Sequence, residues 1–375
     1  MIKRLRSFSK SAMLTLNLIV VIGIALAYAA TEISPETFSY LAFFGIAYGF
    51  FLIANIIFIV FWLLVRKRLA LISTLVILLG FNYLSSYFQA IPDLRSKNPP
   101  SRAVKVVSQN VKLFGWYNWG ENIAQRDQML RKLEKMEGDI FCFQEFFHNS
   151  SPGIFETKEL LKLTLGAPYL YDEYTSTVRK NQHYGIATFS KFPIVGQGQI
   201  RFKGETNNNM SIYTDVVAYG DTIRVYNVHA ASIRFSDSQY AFIKELNEEK
   251  EEANVGLDEA LGIVERLAGA FTRRAKQVEQ VKAHSIESPF PVVISGDFND
   301  TPVSYSYATI SDGLVDTFRE SGGMGIGSTY LGAFPSFRID YIFHSKDLES
   351  AEYTRYEEGI SDHNAISSLV WTRKD

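Results

Sequence analysis

Five short strings place chemically active side chains beside apolar runs: SQN at Ser108–Asn110, FQE at Phe143–Glu145, SGDFND at Ser295–Asp300, RIDYIF at Arg338–Phe343 and SDH at Ser361–His363. Carboxylate and carboxamide oxygens are hard ligands for a divalent cation, and an imidazole beside a carboxylate exchanges protons near neutral pH. Together they are equipment for metal-assisted attack of water on a phosphoester. Asn110 follows Val106-Val107-Ser108, where it is either a neutral oxygen ligand or a turn former. Glu145 closes the apolar run Ile140–Phe143, and a carboxylate buried there needs a partner such as a cation. Asp297 and Asn299 stand two apart after Pro291–Ser295, so extended chain would point both to one side, with Gly296 permitting close backbone approach. His363 is the candidate for proton exchange, and Asp340 is the candidate to fix its tautomer. His229 ends the run Val225–Val228, where it either contacts a phosphate oxygen or packs as a cap.

Positioning these groups takes strands and helices in alternation. Strand-like runs are Val104–Val111, Asp139–Glu145, Tyr184–Ser190, Ser211–Val217, Thr222–His229, Pro291–Gly296, Arg338–His344 and Ala365–Thr372. Asn122–Met136 has helical spacing, and the charged stretch Ser236–Ser288 is predicted to be mostly helix. Its acidic portion Glu245–Glu252 reads as solvated surface. Sheets covered by helices, with functional groups at strand ends, are the expected layout of this α/β (α+β) region. The single cysteine, Cys142, excludes an intramolecular disulfide and sits in an apolar run as a small core residue.

The first 90 residues differ in kind. Ser11–Ala30, Thr37–Val65 and Leu69–Phe88 are apolar runs of bilayer-spanning length, so three transmembrane helices are predicted. No ionisable group interrupts them apart from the Arg66-Lys67-Arg68 turn that separates the last two, and Asn17, Asn55 and Asn82 read as helix–helix hydrogen-bonding groups. Ala27-Tyr28-Ala29 resembles a signal-peptidase site, but the run is long for a signal peptide and an uncleaved helix is preferred. Basic residues gather at the N-terminus and at Arg66-Lys67-Arg68, whereas Thr31–Glu36 holds two acids and no base. The positive-inside rule then puts the N-terminus in the cytoplasm and the rest of the chain across an inner (plasma) membrane, on the extracytoplasmic or periplasmic side. Residues 91–103, with Pro92, Pro99 and Pro100, form a short stiff linker, and 104–375 the catalytic domain. From Gln89 onward the balance is acidic, 31 basic against 38 acidic residues, which disfavours a grip on long nucleic acid without excluding a local basic groove.

The five strings, in this order, resemble the endonuclease/exonuclease/phosphatase superfamily over about Val104 to Trp371. The N-terminal runs and the GSTYLG and RIDYIF strings are similar to a membrane-anchored bacterial branch of it. The resemblance implies a four-layer αββα sandwich of two mixed sheets with the site at one edge. It implies that Asn110 and Glu145 bind Mg²⁺, with Mn²⁺ the alternative, and that Asp362 belongs to the metal's surroundings. Asp297 would orient or deprotonate the attacking water, Asn299 and His229 would hold the phosphate, and Asp340 would support His363, as imidazolium or base. Two departures stand out. Lys112 replaces the acid that apurinic endonucleases carry two residues after the Asn, and Ala230-Ala231 follows His229 where sphingomyelinase-type members often have Leu-Gln. The substrate therefore stays open among a lipid headgroup, a small organic phosphodiester and nucleic acid, and no protein partner is indicated. An anchored endo- or exonuclease would use Trp116-Tyr117-Asn118-Trp119 for stacking, where a packing loop is the alternative. A member that only binds a phosphate ligand is the third reading.

Overall fold

The computed structural model describes residues 2–90, 98–118, 123–153, 155–202, 209–233, 257–332, 336–357, 359 and 361–373, with side chains from Lys10 onward except at 117, 118 and 257. Most of linker 91–103, Trp119 and the acidic run Glu245–Glu252 lie outside the described residues. Those that are described form two six-stranded sheets. The first has the order β11 (Leu348–Tyr356), β12 (Ala365–Thr372), β1 (Val104–Asn110), β2 (Ile140–Asn149), β4 (Gln182–Ser190), β3 (Tyr169–Val178). The second runs β5 (Ile194–Ile200), β6 (Met210–Ala218), β7 (Asp221–His229), β8 (Val292–Asp297), β10 (Asp340–Ser345), β9 (Leu314–Asp316). Both are mixed: β1 with β2 and β7 with β8 are parallel, and their neighbours are antiparallel.

The alternation of side chains sorts each strand between two cores. Val106, Ile140 and Cys142 of the first sheet meet Val225, Val293 and Ile342 of the second in the middle of the sandwich. Their neighbours Val107, Phe141 and Phe143 face outward, onto Met129 and Leu133 of helix Ile123–Lys135 and Leu161 of helix Thr157–Leu165. Tyr226 and Ile294 likewise face Val278 and Val281 of helix Leu257–Ile286. The result is four layers, helices on both outer faces. Parallel β1–β2 and β7–β8 bring the ends of four central strands to one edge, where the polar strings lie.

The expected strands form, with shifted ends. β2 does not stop at Glu145 but runs on to Asn149 through a bulge. β3, β5 and β11 carried no clear alternation. All three are edge strands; β5 is interrupted by Gly196 and Gly198, and β11 carries its own register break. Helix fills Leu257–Ile286 of the predicted Ser236–Ser288.

The apolar N-terminal region departs from the three straight spans expected of it. Two helices are long and apolar enough to cross a bilayer, Lys10–Glu32 and Tyr48–Val65. The run beginning at Thr37 is not one helix: short helical segments cover Pro35–Ile46 before Tyr48–Val65 begins. The third predicted span is a broken pair, Lys67–Leu79 and Phe81–Tyr87, bent by 68° at Gly80. Composition reports how much apolar chain there is, not its direction, so neither break was visible. Asn17 acts as helix–helix glue, donating to Ser73 Oγ at 2.7 Å and accepting from Trp62 Nε1 at 2.9 Å.

The bundle and the sandwich touch directly. Val303 is fully buried among Ile24, Ala27, Tyr48 and Leu52. Phe43 meets Phe271 edge to face, Lys276 pairs with Glu36 at 2.8 Å, and Gln89 exchanges backbone hydrogen bonds with Gly325. Arg338 donates to Ser86 O at 2.7 Å. The end of the bundle that holds Glu32–Tyr48 and Tyr87 is therefore seated on the sandwich.

Candidate active site

Asp297 is the hub. It ends β8, is 1% exposed, and pairs in register with His229 of β7 on one side and Asp340 of β10 on the other. Asn110, at the end of β1, reaches across between the sheets and donates Nδ2 to Asp297 Oδ2 at 3.1 Å. His363 Nδ1 donates to Asp340 Oδ2 at 2.9 Å, which turns Nε2 toward Asp297 Oδ2, 3.8 Å away. His229 Nε2 lies 3.9 Å from the same oxygen and, though buried, has no hydrogen-bond partner. Burial holds the Asp297 carboxyl above its usual range, Asp340 adds to this, and His363, His229 and Asn110 oppose it. Burial also works against the imidazolium of His363, but Asp340 and Asp297 outweigh it and push the group up to about 10.

Backbone conformation aims the remaining groups. Glu145 sits in the bulge between Phe143 and Phe146 with φ 47°, which turns its carboxylate to the cleft instead of into the sheet pleat. Asn299 does not continue the extended chain as its spacing from Asp297 suggested. Its φ is 54°, and the turn lets its N–H donate to Asp297 Oδ1 at 2.9 Å while Nδ2 donates to Ala230 O at 3.2 Å. Hydrogen bonds inside the turn outweigh the strand preference here. Gly296 has φ 143°, and a Cβ on it would stand 2.0 Å from Val228 O in the paired strand. Gly296→Ala is therefore expected to cost at least about 3 kcal/mol in chemical unfolding; an unchanged midpoint would contradict the register.

All eight predicted residues lie at this edge, but not as one ligand set. Glu145, His229, Asp297, Asn299, Asp362 and His363 line a cleft of about 1130 Å³, while Asn110 and Asp340 stand behind Asp297 and His363. Asp362 is paired with Lys112 Nζ at 2.8 Å, and the Lys112 N–H donates to Asn110 Oδ1 at 3.1 Å. Among the described His, Cys, Asp and Glu residues, the group close enough to share a cation is Asp297, Asp340 and His363 rather than Glu145 and Asp362. The donor chemistry nevertheless fits a hard divalent ion. Carboxylates concentrate at a buried edge, with the orphaned His229 nitrogen beside them.

Several contributors gave no signal. Arg274, on helix Leu257–Ile286, is 1% exposed, lines the cleft, donates Nε to Ala231 O at 2.7 Å and stands 3.6 Å from Asp300. Burial lowers its pKa, with Asp300 and Asp297 opposing. Thr329 Oγ1 accepts from the N–H of both Ile339 and Asp340, and Tyr330 lies edge-on to the His363 ring. Gln144 Nε2 donates to Asn227 Oδ1 at 2.7 Å, joining the two sheets beneath the site. Trp116 is taken up in packing, stacked on Phe147 and bonded to Tyr184 Oη.

Two mixed sheets between helices, with carboxylates and histidines gathered at one edge, define a four-layer α/β sandwich with an acid–imidazole cleft. Residues 107–363 match the endonuclease/exonuclease/phosphatase family, and the chain belongs to it. Residues 10–87 match a domain of unknown function (DUF8431). No curated protein matches the sequence. Among solved structures it is similar to an endonuclease/exonuclease/phosphatase family protein from Leptotrichia buccalis, with 17% identity, TM-score 0.50, and cover of 72% of this chain and 100% of that one. Humanized D. rerio TDP2 gives 16% identity, TM-score 0.50 and the same coverage, 72% and 100%. At such identities the likeness concerns the fold.

Proposed function

We propose that this chain is a membrane-anchored phosphoesterase that uses Mg²⁺, with Mn²⁺ the alternative, and that 1–90 is its anchor, 91–103 a linker and 104–375 its catalytic domain. The observation that carries the reading is the buried relay Asp340–His363–Asp297, with the unpartnered His229 nitrogen facing the same carboxylate. Family membership supports the reaction class. The two apolar helices support anchoring, and the basic N-terminus and Arg66-Lys67-Arg68 turn, against the acidic Thr31–Glu36 turn, support a cytoplasmic N-terminus with the domain on the extracytoplasmic face of an inner membrane.

In the proposed reaction the oxygen of a water bonds to phosphorus, one P–O ester bond breaks, and the leaving oxygen takes a proton. Glu145 and Asn110, with Asp362 nearby, would hold a divalent cation, which would neutralise charge on the phosphoryl oxygens. Asp297 orients the water and takes its proton. His229 and Asn299 hold the phosphate oxygens, and Arg274, which lines the same cleft, supplies a fixed positive charge. His363, tied by Asp340, returns a proton to the leaving oxygen.

Purified full-length protein with Mg²⁺ is expected to hydrolyse bis-p-nitrophenyl phosphate, and EDTA to lower the rate by at least about a hundredfold, restored by Mg²⁺ or Mn²⁺. Hydrolysis unaffected by EDTA would remove the metal from the account. Phosphate-ligand binding without turnover would make the chain a binding module. Nicking of plasmid DNA, with lipid and small diesters intact, would favour the nuclease alternative.

A further inference from the structure

The cleft that holds the polar site has a second wall, and that wall comes from the anchor. Phe43 and Ile46, on the short helix Ala42–Ile46, and Phe50, on the first turn of helix Tyr48–Val65, line the same cleft as Asp297, Asn299 and His363. Leu267 of helix Leu257–Ile286 and Ile233 extend the apolar lining. One end of the cleft thus presents carboxylates, imidazoles and a guanidinium, and another presents aliphatic and aromatic carbon.

The apolar wall does not end at the cleft. Phe50 is 66% exposed, and Ile53, Ile57 and Leu64 follow at helical spacing on the same helix, reaching 84% exposure at Leu64. Positions separated by three, four and seven residues share a face. In a helix read as bilayer-spanning, an exposed apolar stripe is the lipid-facing surface. The cleft mouth is therefore continuous with the surface that lipid tails cover.

We infer that the substrate is a bilayer amphiphile carrying a phosphoester headgroup, which enters sideways along Phe50 and Ile46 without leaving the membrane. This rests on the phosphoesterase reading above and names its substrate class. The physical reason concerns extraction. Lifting a lipid into a water-lined site exposes its chains at about 0.8 kcal/mol per CH₂, roughly fourfold for each methylene. Sliding it along an apolar wall exposes few of them. The wall confers little affinity over the bilayer itself; it removes the extraction barrier. A polyanionic strand has no use for such a wall, and of the cleft's described cations Lys112 is matched to Asp362, which leaves Arg274, 3.6 Å from Asp300, to serve a single phosphate group.

The test uses the full chain in vesicles of a mixed bacterial polar-lipid extract with Mg²⁺, alongside soluble dihexanoyl phospholipids and bis-p-nitrophenyl phosphate. Mass spectrometry follows headgroup phosphate and diacylglycerol. The bilayer lipid is expected to turn over at least tenfold more efficiently than its dihexanoyl counterpart. Ile46→Gln and Phe50→Gln, each a polar side chain compatible with helix, are expected to lower that ratio at least fivefold. A ratio near one, or a ratio unmoved by both substitutions, overturns the inference. Cleavage of bis-p-nitrophenyl phosphate with the bilayer lipid intact overturns the substrate class but leaves the phosphoesterase reading standing. No cleavage of either overturns both.

Discussion

Asp297→Asn is expected to lower kcat by about a thousandfold while leaving thermal stability unchanged or raised. The carboxylate is 1% exposed, and burial holds its pKa above the usual range, so its ionised form is disfavoured by the fold itself. Its compensation comes from His363 and His229, at 3.8 and 3.9 Å, and from the Asn110 amide. An amide of the same shape keeps an acceptor for either Asn110 Nδ2 or the Asn299 N–H and gives up the other, a loss offset by removal of the charge's desolvation cost. Removing the group that takes a proton from water forfeits about 10²–10⁴ in rate, and loss of its negative charge beside the metal adds to this. Such a split, with activity lost and stability kept, marks a site whose charge is retained for function. Matched falls in rate and melting temperature would instead mark Asp297 as structural.

Arg338→Ala is expected to destabilise the protein by about 3–5 kcal/mol, the usual result of orphaning one partner of a buried ion pair. Arg338 and Asp316 side chains are 1% and 2% exposed and lie 2.8 Å apart. Burial disfavours the guanidinium, but Asp316 outweighs it and the group is held more basic than usual. The guanidinium also stacks near the Phe318 and Tyr341 rings, 4.5 and 4.7 Å from their centroids. Arg338→Met keeps much of that packing but strands Asp316, whose remaining donors are the Tyr307 hydroxyl and the Phe318 N–H. The double variant Arg338→Met with Asp316→Asn should therefore recover most of the loss, and the cycle isolates the pair. Because Arg338 also donates to Ser86 O, the same substitution loosens the seat between sandwich and bundle. Thermal unfolding in detergent reads the first effect. A loss below about 1 kcal/mol in Arg338→Ala would mean that the pair contributes little.

The sequence made the polar edge legible because each functional string abuts an apolar run. Asn110, Asp297, Asp340 and His363 stand where strands must end, and the strand ends converge because β1–β2 and β7–β8 are parallel. Orientation was less legible. Glu145 reaches the cleft through a bulge, which has no pattern in residue type, and Asn299 through a left-handed turn, which Gly-Asp and Asn-Asp favour but the spacing from Asp297 does not reveal. Arg274 was hidden because a cation on a charged helix resembles any solvated one until the fold buries it. The N-terminal region was legible as apolar length and hidden in direction. The breaks before Tyr48 and at Gly80 leave no trace in hydropathy, yet the first of them brings Phe43 and Ile46 to the cleft.

The central claim is attack of water on phosphorus at the Asp297 edge. Its most direct measurement is hydrolysis of bis-p-nitrophenyl phosphate by the full chain in heavy-oxygen water, with Mg²⁺, beside Asp297→Asn. Heavy oxygen is expected in the phosphate product, none in the released nitrophenol, and turnover is expected to be lost in the variant. Heavy oxygen in the nitrophenol, or turnover that survives Asp297→Asn, would contradict it.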